Sequence, residues 1–336
     1  MGKAQSVSIS NYVTHSSASY PRIELHYQHF GQSWDKAPVI LVNHSLTGDS
    51  NVAGPTGWWQ ELIGPGQTID TNQFAVLAFN IPGNGFAQQI FDQPEDFHTG
   101  DIARLFKQGL DLLGIKQLYA LIGGSIGGGI AWEMAALYPD LTQRLIPIAA
   151  DWKASDWIIA NTFFQKKILA NSSDPLRDAR IHAMLCYRNP ESLESRFNRT
   201  YNEERSCFNV ESWLQYHGDK LEQRFAIKAH KMVNHPLGTI NITREQQDFT
   251  TIVSNISADI HLIAIDSDLF FTPQQDQKTY ALIKPFKENI FFHEIASLHG
   301  HDAFLIEHEK VKTLLQTIFK HPISQKNYES STRTYQ

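Results

Sequence analysis

The sequence predicts an α/β protein in which a mostly parallel sheet carries helices on both faces. Three observations predict it. Short continuous apolar runs recur along the chain, helical patterns fall between them, and one run passes through a glycine-rich bend straight into an alanine-rich helix. A strand covered on both faces reads as an unbroken apolar run. Its alternation with helices is the pattern of a parallel sheet.

In chain order, "IELHYQHFG" (23–31) alternates apolar and polar residues with period two, as a half-exposed strand does. "PVILVN" (38–43), "FAVLAFN" (74–80), "LYALIGG" (118–124) and "RLIPIAA" (144–150) read as buried strands. Asp101 to Leu113 places Ile102, Leu105, Phe106, Leu110 and Leu113 at helical spacing. Ile130–Leu137 reads as a helix stopped by Tyr138-Pro139. From Trp152 to Asn255 the texture changes and no strong strand candidate occurs. "SDWIIANTFFQKKIL" (155–169) opens on a helix-capping Ser-Asp pair, and "ESWLQYHGDKLEQRF" (211–225) is helical with an expected break at Gly218. "DIHLIAI" (259–265) and "NIFFHEI" (289–295) then resume the strands. The expected organisation is a core from 1–151 and 256–320, a helical insertion at 152–255, and a polar, frayed tail at 321–336.

Composition narrows the function classes. The 336 residues are 42% hydrophobic and 19% charged, enough apolar content for a sizeable core. With 29 basic against 35 acidic residues there is no electrostatic reason to expect nucleic acid or an anionic membrane. No apolar run is long enough to span a bilayer. The start lacks the apolar core of a secretory signal, and Gly2 with Ser6 meets only the loose myristoylation pattern. The two cysteines, Cys186 and Cys207, make neither a metal spacing nor a disulfide framework, so a cytoplasmic, reducing location is expected.

The glycine-rich bend reads Gly123-Gly124-Ser125-Ile126-Gly127, a G-x-S-x-G sequence between a strand and a helix. A glycine-rich helix start that merely packs tightly, or a phosphate loop, would share the glycines. The strand-to-helix context instead favours a nucleophile elbow, which projects the serine hydroxyl where the helix N-terminus favours negative charge. A serine hydroxyl needs a base, and the base needs an orienting acid. With this motif the chain order is Ser, Asp or Glu, then His. Asp266 and Asp268 follow one late strand, and His299 and His301 follow the next; spacing leaves both choices open. His299-Gly-His301 has no third ligand nearby in sequence, so no metal is expected. The N–H of Ile126 and that of Leu46, in "HSLTG" (44–48), are the expected oxyanion donors.

Several long, irregular strings go further. "HSLTGDSNVAG" (44–54), "GWWQELIGPGQTIDTNQF" (57–74), "GGSIGGGIAWEMAALYPD" (123–140), "ESWLQYHGDKLEQRF" (211–225), "SDLFFTP" (267–273) and "GHDAFL" (300–305) resemble the homoserine O-acetyltransferase family. The resemblance runs from about Pro38 to Leu315. It implies an α/β-hydrolase fold with the insertion as a lid, and a homodimer joined through lid helices. It implies ping-pong acetyl transfer from acetyl-CoA to the hydroxyl of L-homoserine, a step of methionine biosynthesis, with no bound cofactor. By the same resemblance Ser125 is the nucleophile, Asp268 the acid and His301 the base. Arg180 and Asp302 then read the carboxylate and ammonium of the acceptor, the two charges any free amino acid carries.

In one place the chain departs from that family. The family has a longer loop, rich in glycine with Cys and Ser-Thr-Gly-Pro, where this chain has "IPGNGF" (81–86). That short form is closer to ordinary hydrolases of the fold. An esterase or thioesterase with the same three residues, a transferase using succinyl-CoA or L-serine, and a non-enzymatic binding protein are the alternatives; the last has no use for a complete Ser, Asp and His set.

Overall fold

The computed structural model describes residues 3–245 and 248–320. The expected tail at 321–336 and the Gly2 pattern lie outside the described residues. Two antiparallel strands, β1 (Gln5–Val13) and β2 (Ser19–Gly31), open the chain. They are followed by β3 (Val39–Asn43), the two-residue pair β4 (Ile63–Gly64) and β5 (Ile69–Asp70), and β6 (Ala75–Phe79). Then come α1 (Thr99–Leu112), β7 (Ala120–Gly124), α2 (Ile126–Leu137) and β8 (Arg144–Ile148). The next stretch is helical: α3 (Asp156–Asn171), α4 (Pro175–Tyr187), α5 (Pro190–Phe197), the short hairpin β9 (Tyr201–Asn202) and β10 (Cys207–Phe208), α6 (Asn209–Glu222), α7 (Ile227–Leu237) and α8 (Phe249–Asn255). The chain closes with β11 (Asp259–Ile265), α9 (Pro273–Ile283), β12 (Ile290–Ile295), α10 (Ala303–Ile306) and α11 (His308–Lys320).

Eight strands form one sheet in the order β1-β2-β6-β3-β7-β8-β11-β12. From β6 to β12 every pairing is parallel, and β2 joins β6 antiparallel. The apolar runs are continuous because both faces of the sheet are covered. Along β3, Leu41 packs into the cluster of α1 and α2, whereas Ile40 and Val42 pack into the cluster that contains Val311, Leu315 and Ile318 of α11. Alternate side chains leave opposite faces, so burial of both faces demands apolar residues at every position.

Three local differences from the sequence reading have physical causes. Helix α1 starts at Thr99, two residues before Asp101, because Asp101 caps it from inside: its carboxylate accepts from His98 N, and also from Tyr12 Oη and His15 N, each at 2.9 Å. Gly218 breaks nothing. α6 runs through it, and a Cβ there would sit 3.2 Å from Arg177 Cα, so this glycine lets α4 and α6 approach closely. Helix α2 begins at Ile126, not Ile130, with Gly127, Gly128 and Gly129 inside its first turns. Glycine is a poor helix former, and crowding explains its use. A Cβ on Gly127 would lie 2.4 Å from Asn43 O, one on Gly128 2.5 Å from Ala150 Cβ, and one on Gly129 2.4 Å from Ile240 Cδ1.

Gly127→Ala therefore presses a methyl group against backbone that cannot rotate away. Urea unfolding should show it less stable by about 1–3 kcal/mol, the usual cost of overpacking. An unchanged midpoint would mean that α2 is free to shift.

Candidate active site

Ser125 occupies the bend between β7 and α2 with φ 58° and ψ −129°. A non-glycine residue in such a region costs about 1–3 kcal/mol and persists only where its surroundings hold it. Here its N–H donates to Ile148 O at 2.9 Å, and its carbonyl accepts from Gly128 N at 2.9 Å and Gly129 N at 3.1 Å. A Cβ on Gly123 would fall 2.2 Å from the Gly127 carbonyl, so the bend closes only around glycine. The hydroxyl is thus fixed at the N-terminal end of α2, where the helix dipole is positive.

His301 follows β12 in a single helical turn, Gly300–Asp302. Its Nδ1 lies 2.7 Å from Asp268 Oδ2. The other oxygen, Asp268 Oδ1, accepts from Phe270 N at 2.6 Å and Phe271 N at 3.0 Å. The imidazole is boxed by Tyr187, Phe270, Phe271 and Phe304, with ring centroids 5.1–5.7 Å away. Ser125, Asp268 and His301 are all buried. A carboxylate only accepts, so Nδ1 carries the proton and Nε2 is left as the basic nitrogen. Nε2 is buried without a hydrogen bond among the described residues, and the ring lines the same cavity as Ser125. A base and a hydroxyl set this way can exchange a proton once a substrate orders them.

The same geometry separates the residues that spacing left open. Asp266 spends a carboxylate oxygen on Ser297 N at 2.8 Å. His299 turns its Nδ1 toward Arg188 Nη1 and Ser192 Oγ, each at 3.4 Å. Neither joins the buried pair.

The N–H groups of Leu46 and Ile126 make no hydrogen bond among the described residues. Leu46 lines the cavity, in a loop held by His44. His44 Nδ1 donates to Ser45 O at 2.7 Å, while Nε2 accepts from Ile81 N at 3.0 Å. Burial pushes the His44 imidazole down, so it stays neutral and keeps both contacts. The short 81–86 loop closes on this ring through Ile81.

The cavity holds about 440 Å³ and brings together Ser125, His301, Leu46, Tyr187, Arg180 and Asp302. Arg180, on α4, stacks 5.8 Å from the Tyr187 ring centroid and has no ion pair or hydrogen bond among the described residues. Asp302 is different. Its carboxylate is ion-paired with Arg188 Nε at 3.2 Å, a cation the sequence reading did not place. Lys220 and Arg224 also line the cavity. They sit inside the quoted 211–225 string, Lys220 near the end of α6 and Arg224 two residues past it, where no charge run marks them. Behind the His301–Asp268 pair lie two further buried acids that sequence reasoning missed. Asp151 accepts from Thr279 Oγ1 and Trp152 N, each at 2.8 Å, and burial raises its carboxyl to about 6. Burial raises Asp276 well above the usual range, with the charges of Asp151 and Asp268 adding to it, and its Oδ2 has no hydrogen-bond partner among the described residues.

Comparison with known proteins places this site in context. The family described by the alpha/beta hydrolase fold matches residues 38–178. The homoserine O-acetyltransferase of Chloroherpeton thalassium is 31% identical over 329 residues, spanning 89% of this chain and 84% of that one. The crystal structure of homoserine O-acetyltransferase from Bacillus anthracis superimposes with a TM-score of 0.85 at 19% identity, over 96% of this chain and 98% of that one. Esterase E22 superimposes with a TM-score of 0.84 at 17% identity, over 95% and 100%, so the fold is shared beyond the transferases.

The buried acids give a pH-dependent prediction. A carboxyl whose folded pKa is raised contributes stability that is fully present below the unfolded value and is lost as pH rises through the folded one. Asp276→Asn removes the penalty at Asp276. In urea unfolding the variant should be more stable than the parent at pH 8, with a gain that shrinks toward pH 4. A gain independent of pH would show that Asp276 does not titrate on unfolding.

Proposed function

This chain belongs to the homoserine O-acetyltransferase family of α/β-hydrolase-fold enzymes, and from that premise we propose that it transfers an acetyl group from acetyl-CoA to the hydroxyl of L-homoserine. The observation that carries the reading is a single cavity lined both by Ser125 and His301, whose imidazole Asp268 holds from behind, and by an Arg180 guanidinium that has no counter-ion among the described residues. A hydrolase of simple esters has no need of that cation. A free amino acid brings the carboxylate that fits it.

The chemistry follows in two halves. His301 Nε2 takes the Ser125 proton as Oγ attacks the thioester carbonyl. The Leu46 and Ile126 N–H groups hold the oxyanion, a contribution of about 2.7–4 kcal/mol for one such donor. The C–S bond breaks, the proton passes from His301 to the departing thiolate, and an acetyl-serine remains. His301 then deprotonates the homoserine hydroxyl, which attacks the acetyl carbonyl and regenerates Ser125. Asp268 keeps the ring oriented and stabilises its charged form. Arg180 takes the acceptor's carboxylate. Its ammonium meets Asp302, which shares that charge with Arg188. The helices between β8 and β11 supply Arg180 and Tyr187 and act as a lid that keeps water from the acyl-serine. The exposed Trp157, Phe163 and Phe164 of α3 support a homodimer through these helices. Among the described residues no helix is long and apolar enough to cross a membrane, and the reading places the enzyme in the cytoplasm with no cofactor beyond its co-substrate.

Ser125→Ala should show no acetyl adduct by intact-protein mass spectrometry after exposure to acetyl-CoA, whereas the parent gains one acetyl group. An undiminished adduct would remove Ser125 from the mechanism. Arg180→Ala should form the adduct at the parent's rate yet lose well over tenfold in homoserine-dependent thiol release, because a carboxylate left unpaired in a closed site costs about 2–5 kcal/mol. Thiol release that ignores homoserine altogether would make the protein a thioesterase.

A further inference from the structure

Helix α6 carries its charges on two faces. Asp219 and Glu222 turn toward α4, where Arg177 Nε holds them at 3.1 and 2.9 Å. His217 and Lys220, three residues apart, share the other side of the helix, and Arg224 follows just past its end at Glu222. There Lys220 and Arg224, both exposed, line the solvent end of the cavity whose floor is the buried Ser125 and His301. Arg224 is not adrift: its Nη1 donates to Thr47 O at 2.8 Å, which fixes the guanidinium against the loop that carries Leu46. Lys220 Nζ lies 5.9 Å from the Tyr216 ring centroid and has no carboxylate partner among the described residues. The acids offset this charge only in part. Asp219 and Glu222 are spent on Arg177, Asp302 is paired with Arg188, and Asp49, the remaining carboxylate of the cavity wall, acts on Arg224 and leaves Lys220 uncompensated. His217, next along the stripe, is pushed down to about 4 by burial and by the cations Arg180, Arg188, Lys220 and Arg196, so it sits neutral in a positive field.

We propose that Lys220 and Arg224 form a subsite for the phosphate groups of the acyl donor, separate from the Arg180 position that takes the acceptor's carboxylate. The inference rests on the donor being a coenzyme A thioester. An amino-acid acceptor brings one carboxylate, so two further cations at the solvent end exceed its needs. Coenzyme A carries its phosphates at the far end of a long uncharged arm. With the thioester at Ser125, that anionic end lies toward solvent. A fixed guanidinium fork and a mobile ammonium are the two side chains suited to phosphate oxygens.

The test compares two donors, acetyl-CoA and S-acetyl-N-acetylcysteamine, which has the thioester but no phosphate. The parent should prefer acetyl-CoA in kcat/KM with homoserine as acceptor. In Lys220→Gln, and in Lys220→Gln/Arg224→Gln together, that preference should fall about fivefold to tenfold, the scale of partly exposed charge-assisted contacts. The loss should appear in KM for acetyl-CoA, and in the parent that KM should rise with ionic strength. A misfolded or loosened variant loses rate with both donors and leaves the ratio unchanged, so the ratio isolates the phosphates. An unchanged ratio in a double variant that keeps the parent's kcat/KM with S-acetyl-N-acetylcysteamine overturns the subsite while leaving homoserine acetylation intact. If the parent acetylates homoserine with neither donor, the proposed function itself fails.

Discussion

Everything in the site hangs on how closely the β7–α2 bend sits against its neighbours. Ser125 keeps an unfavourable backbone conformation because β8 binds its N–H, α2 binds its carbonyl, and no side chain intervenes at 123 or 127. A strained residue that several contacts fix is held rigidly, which is what positions a hydroxyl for attack. The same closeness sets the loop that carries Leu46. Gly127 lies against the Asn43 and His44 carbonyls, so the chain leaving β3 is bound to the first turn of α2.

From that fixed point the sheet assembles the rest. Leu46 follows β3, Ser125 follows β7, Asp268 follows β11 and His301 follows β12, so all four come from the carboxyl ends of parallel strands. Parallel strands place their carboxyl ends on one edge, and loops from that edge converge. The aromatic rings around His301 then do two things. They exclude water, which strengthens the Asp268 contact, and they leave Nε2 no protein partner. Two protonatable acids behind Asp268 avoid adding a second and third buried negative charge, at a cost in stability that grows with pH.

The helices between β8 and β11 contribute charge where the sheet contributes catalysis. Arg180 and Arg188 come from α4 and its end, Lys220 and Arg224 from α6 and just beyond. The two helices cross closely at Gly218, and Arg177 neutralises the acids between them. That internal pairing keeps Asp219 and Glu222 away from the cavity, whose wall carries Arg180, Lys220 and Arg224 against Asp49 and an Asp302 already paired with Arg188, so a chain with an acidic net balance presents a positive entrance.

The sequence by itself determined the sheet, the serine bend and the order of its partners. Those features are local: burial on both faces writes continuous apolar runs, and a bend that admits no Cβ writes glycine at 123 and 127. Spacing alone did not separate Asp268 from Asp266 or His301 from His299, because residues two apart follow the same strand and differ only in direction; the family resemblance named Asp268 and His301, without a physical reason. The tertiary structure decided that choice through one 2.7 Å contact and a ring of aromatics drawn from α4, the β11 loop and the β12 loop. It also decided that Asp302 is already paired and Arg180 is not. Whether a charge is free depends on partners far away in the chain, and spacing along a sequence carries no record of them.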